Sequence, residues 1–153
     1  MATSSVPGAF ARIALGADHG GYEQKQSLKT WLAGRGYSVK DLGTDSTASV
    51  DYPDYAHIVA KLVKKGEADF GILVCGTGIG MAIAANKVSG VRAACVTTVD
   101  FARLARQHND ANVLCLSGRF VDDATNKNIV DAFLTTTFEG NRHTRRVAKL
   151  EDC

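Results

Sequence analysis

Five short apolar runs in this chain each give way to a stretch of helical spacing, and this alternation constrains its fold more than any other feature. The first run, 13–16, leads through Asp18-His19-Gly20-Gly21 into a predicted helix at 22–33. Leu28, Trp31 and Leu32 share a face of that helix, and Gly34 is its expected terminator. The second run, 37–42, alternates as a strand does and ends in a polar loop at 43–53. A helix follows at 54–65, with Ile58, Val59, Leu62 and Val63 as its apolar stripe and Gly66 closing it. The remaining runs are 70–75, 93–96 and 113–116, with helices expected at 81–86, 100–107 and 122–134. Such a chain folds as α/β, with helices covering both faces of a mainly parallel sheet. Continuously apolar strands fit that arrangement. The expectation is a three-layer, Rossmann-like sandwich around a five-stranded parallel sheet.

At 153 residues the chain suits one domain with a substantial core. Residues 12–153 read as that domain, ending in a basic amphipathic segment at 142–150, and residues 1–11 read as a flexible tail. The net charge of +2 creates no field that would favour nucleic acid or a membrane surface. Aromatic residues are scattered, which argues against a platform for stacking bases. No apolar run approaches the ~20 residues of a membrane span. The opening Met-Ala-Thr-Ser-Ser-Val-Pro-Gly lacks the charged and apolar regions of a secretory leader, and Arg12 stands alone where a mitochondrial presequence would carry several arginines. Cys75, Cys95, Cys115 and Cys153 form no Cys-x-x-Cys pair, which disfavours a zinc knuckle or a thioredoxin-type site. Three of them fall in strand-like runs, and buried reduced thiols fit a cytoplasmic setting better than a disulfide framework.

The segment Asp69-Phe-Gly-Ile-Leu-Val-Cys75-Gly-Thr-Gly-Ile-Gly80 carries the most chemistry. A thiol at the carboxyl end of a parallel strand stands where open α/β sheets bind ligands. The next helix would aim free N–H groups at the same place, an arrangement that favours a thiolate and a bound anion. The turn is neither a dinucleotide fingerprint nor a P-loop, since G-x-G-x-x-G fails and no Gly-Lys-Ser/Thr follows. The purely structural alternative is a tight turn with Cys75 as a small buried hydrophobe.

Other polar clusters carry a similar choice. Asp18 and His19 are either a helix cap and turn or a ligand-contacting pair. His108 and Asn109, within Arg106-Gln107-His108-Asn109-Asp110, are either a helix terminus with Asn109 as a left-handed cap, or an acid–base group with a neighbour. Arg142 and Arg146, four residues apart, form either a phosphate clamp or a solvated helix face. Asp18, His19, Cys75, Ser117 and Arg119 collect at strand ends, whereas His108 and Asn109 precede the fifth strand and lie at the opposite end. That placement hints at a site shared between two subunits.

Together these segments resemble the ribose-5-phosphate isomerase type B family, which also holds galactose-6-phosphate isomerase subunits. The resemblance runs over about 13–148 and rests on Gly-Ala-Asp-His-Gly-Gly at 16–21, Asp-Tyr-Pro at 51–53 and Cys-Gly-Thr-Gly-Ile-Gly at 75–80. Ala-Ala-Asn-Lys at 84–87, Arg-Gln-His-Asn-Asp at 106–110 and Glu-Gly-Asn-Arg-His at 139–143 add to it. It implies interconversion of D-ribose 5-phosphate and D-ribulose 5-phosphate without a metal or other cofactor. It implies Cys75 as the base, Thr77 beside it, and His108 as the group that opens the sugar ring. Gly76, Gly78, Gly80 and Asn109 would hold the enediolate, Asp18 and Tyr52 the sugar, and His19, Arg119, Arg142 and Arg146 the phosphate. It further implies a homodimer or dimer-based tetramer with shared sites. One branch of the family uses a glutamate in the turn; Cys75 and Ile79 are similar to the cysteine-dependent branch. The alternatives are a six-carbon substrate such as allose or galactose 6-phosphate, a non-catalytic sugar-phosphate sensor, or a redox sensor, for which no neighbouring cysteine in sequence offers a partner thiol.

Overall fold

The computed structural model describes residues 11–153, so the predicted tail lies outside the described residues except for Ala11. Ala11 is buried, and its carbonyl accepts a hydrogen bond from the Ser38 amide. Five strands, β1 (Arg12–Ala17), β2 (Ser38–Asp41), β3 (Phe70–Cys75), β4 (Ala93–Cys95) and β5 (Val113–Ser117), form one parallel sheet in the order β2-β1-β3-β5-β4. Helices α1 (Tyr22–Gly34), α2 (Tyr52–Lys64), α3 (Ile79–Ala85), α4 (Val99–Asn109) and α5 (Asp123–Leu134) connect and follow the strands. A short α6 (Arg142–Ala148) and a 3-10 turn (Lys149–Glu151) end the ordered elements.

The three central strands send alternate residues to opposite faces, as the pleat requires. Ile13, Leu15, Phe70, Ile72, Val74, Leu114 and Leu116 face one layer, built from α1, α4 and α5. Ala14, Leu73, Cys75, Val113 and Cys115 face the other, built from α2 and α3. Cys75 therefore ends β3 on the α2–α3 side.

The structure moves several expected boundaries. Helix α1 runs through Gly34, and its left-handed residue is Gly36, with φ of 92°. Helix α2 begins at Tyr52 inside the expected loop, because Pro53 in its first turn needs no intrahelical partner for its nitrogen. Its predicted stripe is incomplete: Val59 and Val63 are buried, but Ile58 is 45% exposed. Helix α4 reaches Asn109, and the left-handed cap is Asp110, with φ of 48°, rather than Asn109. A cap side chain opens α4, where the Thr98 hydroxyl accepts from the Phe101 amide at 3.2 Å.

Two buried ion pairs fix segments the sequence left unexplained. Lys25 on α1 is fully buried and reaches both carboxylate oxygens of Asp41 on β2 at 2.8 Å. Arg106 on α4 is also fully buried, donates to Asp110 at 3.0 Å and to the Ala111 carbonyl at 2.7 Å, and lies over the Phe70 and Phe133 rings.

Candidate active site

In this strand order β1 leads outward to β2, whereas β3 lies on its other side, so the connections diverge between β1 and β3. At such a divergence open α/β sheets place a crevice at the carboxyl ends of the strands, their common ligand position. Asp18 and His19 enter it from β1, and Cys75 and the glycine turn enter it from β3.

The sulfur of Cys75 is buried and accepts a hydrogen bond from the Gly78 amide at 3.1 Å. Gly78 has φ of 84°, a conformation that L side chains rarely adopt. A Cβ there would also stand 3.0 Å from the Leu116 backbone and 3.2 Å from the Cys95 sulfur. Thr77 is exposed, and its hydroxyl accepts from the Ile79 amide at 3.2 Å. Tyr52 lies over Gly80, where an added Cβ would come within 2.7 Å of its ring. The glycines thus let a thiol, an aromatic ring and free backbone crowd into one turn.

Around this turn, one Asp18 carboxylate oxygen accepts from the Gly20 and Gly21 amides at 2.8 and 3.2 Å. The capping reading of Asp18 therefore holds in geometry, and it points the loop into the crevice. His19 accepts from the Val50 amide through Nδ1 at 3.2 Å, which leaves Nε2 as the proton-bearing nitrogen. Three hydrogen bonds tie the end of β5 to the cysteine turn: Gly118 N–H to the Cys75 carbonyl at 2.8 Å, and Arg119 N–H and Ser117 Oγ–H to the Gly76 carbonyl at 3.1 and 2.7 Å. They bring the exposed Arg119 guanidinium against Gly76.

A second cluster forms at the other end of the sheet, about 15 Å away along β5 by strand rise. His108 and Asn109 end α4, and Arg146 joins them, with His143, Val147 and Leu150, around a recess of about 250 Å³. Arg142 and Arg146 are exposed on α6, as their spacing predicts. The chain thus brings together Asp18, His19, Tyr52, Cys75, Gly76, Thr77, Gly78, Gly80 and Arg119, and separately His108, Asn109, Arg142 and Arg146. No single copy unites the two groups.

Three residues given no role from sequence belong to these clusters. Cys95 touches the glycine turn, with its sulfur 3.7 Å from the Thr77 carbonyl; burial raises its thiol pKa above the ordinary value. His143 is buried and stacks on His108, with ring centroids 4.3 Å apart and planes 15° from parallel. Glu139, four residues before His143 in the motif at 139–143, lies 3.5 Å from its Nε2. His108, Glu139 and His143 offer ligand atoms within 4.8 Å of one another. Stacked rings, however, direct their in-plane lone pairs side by side, whereas a shared metal needs them to converge.

The sequence matches the Ribose/Galactose Isomerase family over residues 13–150. It is similar to ribose-5-phosphate isomerase B of Escherichia coli, with 48% identity over 89% of this chain and 91% of that one. A ribose 5-phosphate isomerase from Thermotoga maritima superposes with a TM-score of 0.92 at 50% identity, covering 94% of this chain and 99% of the other. Ribose-5-phosphate isomerase B from Mycoplasma genitalium, solved with bound ribulose-5-phosphate, superposes at 0.89 with 50% identity, covering 92% and 94%. A family match over nearly the whole domain, together with this crevice, establishes that the chain belongs to the ribose/galactose isomerase family.

Proposed function

We propose that this protein is an aldose–ketose isomerase that interconverts D-ribose 5-phosphate and D-ribulose 5-phosphate, with each active site assembled from two copies of the chain. The observation that carries the reading is the Cys75 sulfur held by the Gly78 amide in the β1–β3 crevice, with Arg119 against the same turn. The similar Mycoplasma enzyme with ribulose-5-phosphate bound supports the substrate. Asp18 and Tyr52 contact the sugar, and His19 and Arg119 serve the phosphate.

A furanose must open first. His108 of a second copy moves the proton of the C1 hydroxyl toward the ring oxygen, and the C1–ring oxygen bond breaks to give the aldehyde. The Cys75 thiolate then takes the proton from C2. The electron pair forms C1=C2, and O1 becomes the enediolate oxygen. The thiol returns the proton to C1, the O2 proton passes to O1 as C2=O forms, and the neutral ketose results. Backbone donors aimed at the developing oxyanion are worth about 3 kcal/mol each in acyl-transfer sites. Here the Gly78 amide points at the sulfur, so Gly76, Gly80 and the partner copy's Asn109 side chain are left for the oxygens. Arg142 and Arg146 of the second copy grip the phosphate and position the reacting carbons. No residue in this scheme calls for a metal, and Thr77 orients the turn through its bond from Ile79.

Exposed apolar residues support assembly. Ile79 and Ile83 on α3 are 56% and 57% exposed, and Phe101 on α4 is 63% exposed. The two helices lie on opposite faces beside the edge strand β4, a surface a second copy would cover.

The test is an assay of purified protein, with and without a chelator, on ribose 5-phosphate and allose 6-phosphate. Ribulose 5-phosphate formed at equal rates in both buffers supports the reading. Preference for the six-carbon sugar would reassign the substrate, and ligand binding without product would make the protein a sensor.

A further inference from the structure

His143, stacked on the proposed ring-opening His108, has no place of its own in the scheme above. His143 is 4% exposed, and its Nε2 is buried without a hydrogen bond among the described residues. The Glu139 carboxylate at 3.5 Å is its polar neighbour. The backbone locks this arrangement to α4: the Glu139 amide donates to the Gln107 carbonyl at 3.0 Å, and the His143 amide to the Gly140 carbonyl at 2.9 Å. A ring confined in this way presents a fixed flat face, and His108 lies on that face at 4.3 Å. His143 also sits in the first turn of α6, directly after Arg142 and three residues before Arg146.

We propose that His143 is a positioning residue for sugar-ring opening: its buried ring sets the plane of the His108 imidazole, and its place between Arg142 and Arg146 ties that plane to the grip on the substrate phosphate. This rests on the isomerase reading. Burial, then the positive charges of Arg142 and His108, lower the His143 pKa below the ordinary histidine value. That shift favours the neutral ring, which packs flat on His108 and adds no charge beside it.

Substrate chemistry supplies a clean test. Ribulose 5-phosphate has its C5 oxygen esterified, so it cannot close to a furanose, whereas ribose 5-phosphate arrives as a ring. A defect confined to ring opening therefore slows the reaction from ribose 5-phosphate and spares the reaction from ribulose 5-phosphate, whose aldehyde product cyclises in solution. Initial rates are measured in both directions for His143→Leu, which removes the flat face, and His143→Phe, which keeps it. The expected result for the leucine variant is a loss of kcat/KM on ribose 5-phosphate of roughly ten- to a hundredfold, the scale of a misplaced catalytic group, with under about threefold on ribulose 5-phosphate. The phenylalanine variant should stay within about threefold of wild type on both, and His143→Leu should add nothing in a His108→Asn background. Equal losses in both directions, a deep ribose-side loss in the phenylalanine variant, or multiplying losses in the double variant would overturn the proposal. If the leucine variant does not fold, the phenylalanine variant still decides by the same criterion. Imidazole ¹⁵N spectra give a readout that needs no turnover: the His108 resonances should move in His143→Leu and hold in His143→Phe. A wild-type protein that turns over neither sugar would strike the isomerase reading itself, and the spectra would still report on the stacking.

Discussion

At the scale of single residues, the turn after β3 concentrates the consequences. Cys75→Ala removes the proposed base and one sulfur atom from a buried position. Turnover should fall by about a thousandfold or more, within the usual worth of an acid–base group, while the melting temperature stays within a few degrees. Near-normal rates would remove Cys75 from the mechanism. Gly78→Ala should act on both fold and rate. Its φ of 84° and the Leu116 backbone 3.0 Å from the new Cβ predict a cost of about 1–3 kcal/mol in denaturant unfolding. The same change shifts the amide that reaches the sulfur, so kcat should drop more than KM rises. An alanine variant with unchanged stability would show that the turn relaxes freely. The sequence made this turn legible because glycine spacing and a strand-end thiol are local signals. The roles of Glu139 and His143 were not legible, because stacking on α4 depends on where a separate helix docks.

At the scale of elements, the run-and-helix alternation predicted all five strands, since apolar runs and helical spacing are set within each segment. It could not predict which charged residues would be buried. Lys25 and Asp41 are sixteen positions apart and meet only once α1 crosses from β1 to β2. Burial alone would raise the Asp41 pKa, but hydrogen bonds from Lys25, the Gly43 amide and Lys29 outweigh it and hold it below the ordinary 3.8. The sign follows: a lowered carboxyl contributes stability that is fully present above about pH 4 and is lost as pH falls through the folded-state value. Asp41→Ala strands the Lys25 ammonium in the interior, and truncating one partner of a buried pair costs about 3–5 kcal/mol. Urea unfolding at neutral pH should show that loss, and the gap between variant and wild type should narrow below pH 4. A gap that stays constant into acid would mean that packing, not charge, is what Asp41 supplies. The displaced caps have a related cause. Gly36 and Asp110 take the left-handed positions because each helix runs on to where the next strand begins, a length that tertiary packing sets.

At the scale of the whole molecule, the two residue clusters lie at opposite ends of one sheet, and that separation has a consequence that activity measurements can read. In a dimer with shared sites, each site takes Cys75 from one chain and His108 from the other. A Cys75→Ala chain and a His108→Asn chain are each inactive on ribose 5-phosphate as homodimers, because every site lacks one group. Mixed after unfolding and refolding together, half of the dimers are heterodimers by random pairing. In each heterodimer one site carries both lesions and the other carries neither. The mixture should therefore recover about a quarter of wild-type activity, with a KM near wild type, since the restored sites are intact. If both groups acted within one chain, every site would keep one lesion and mixing would restore nothing. The recovered fraction thus counts complete sites, and it separates a shared site from two independent ones without any knowledge of the interface.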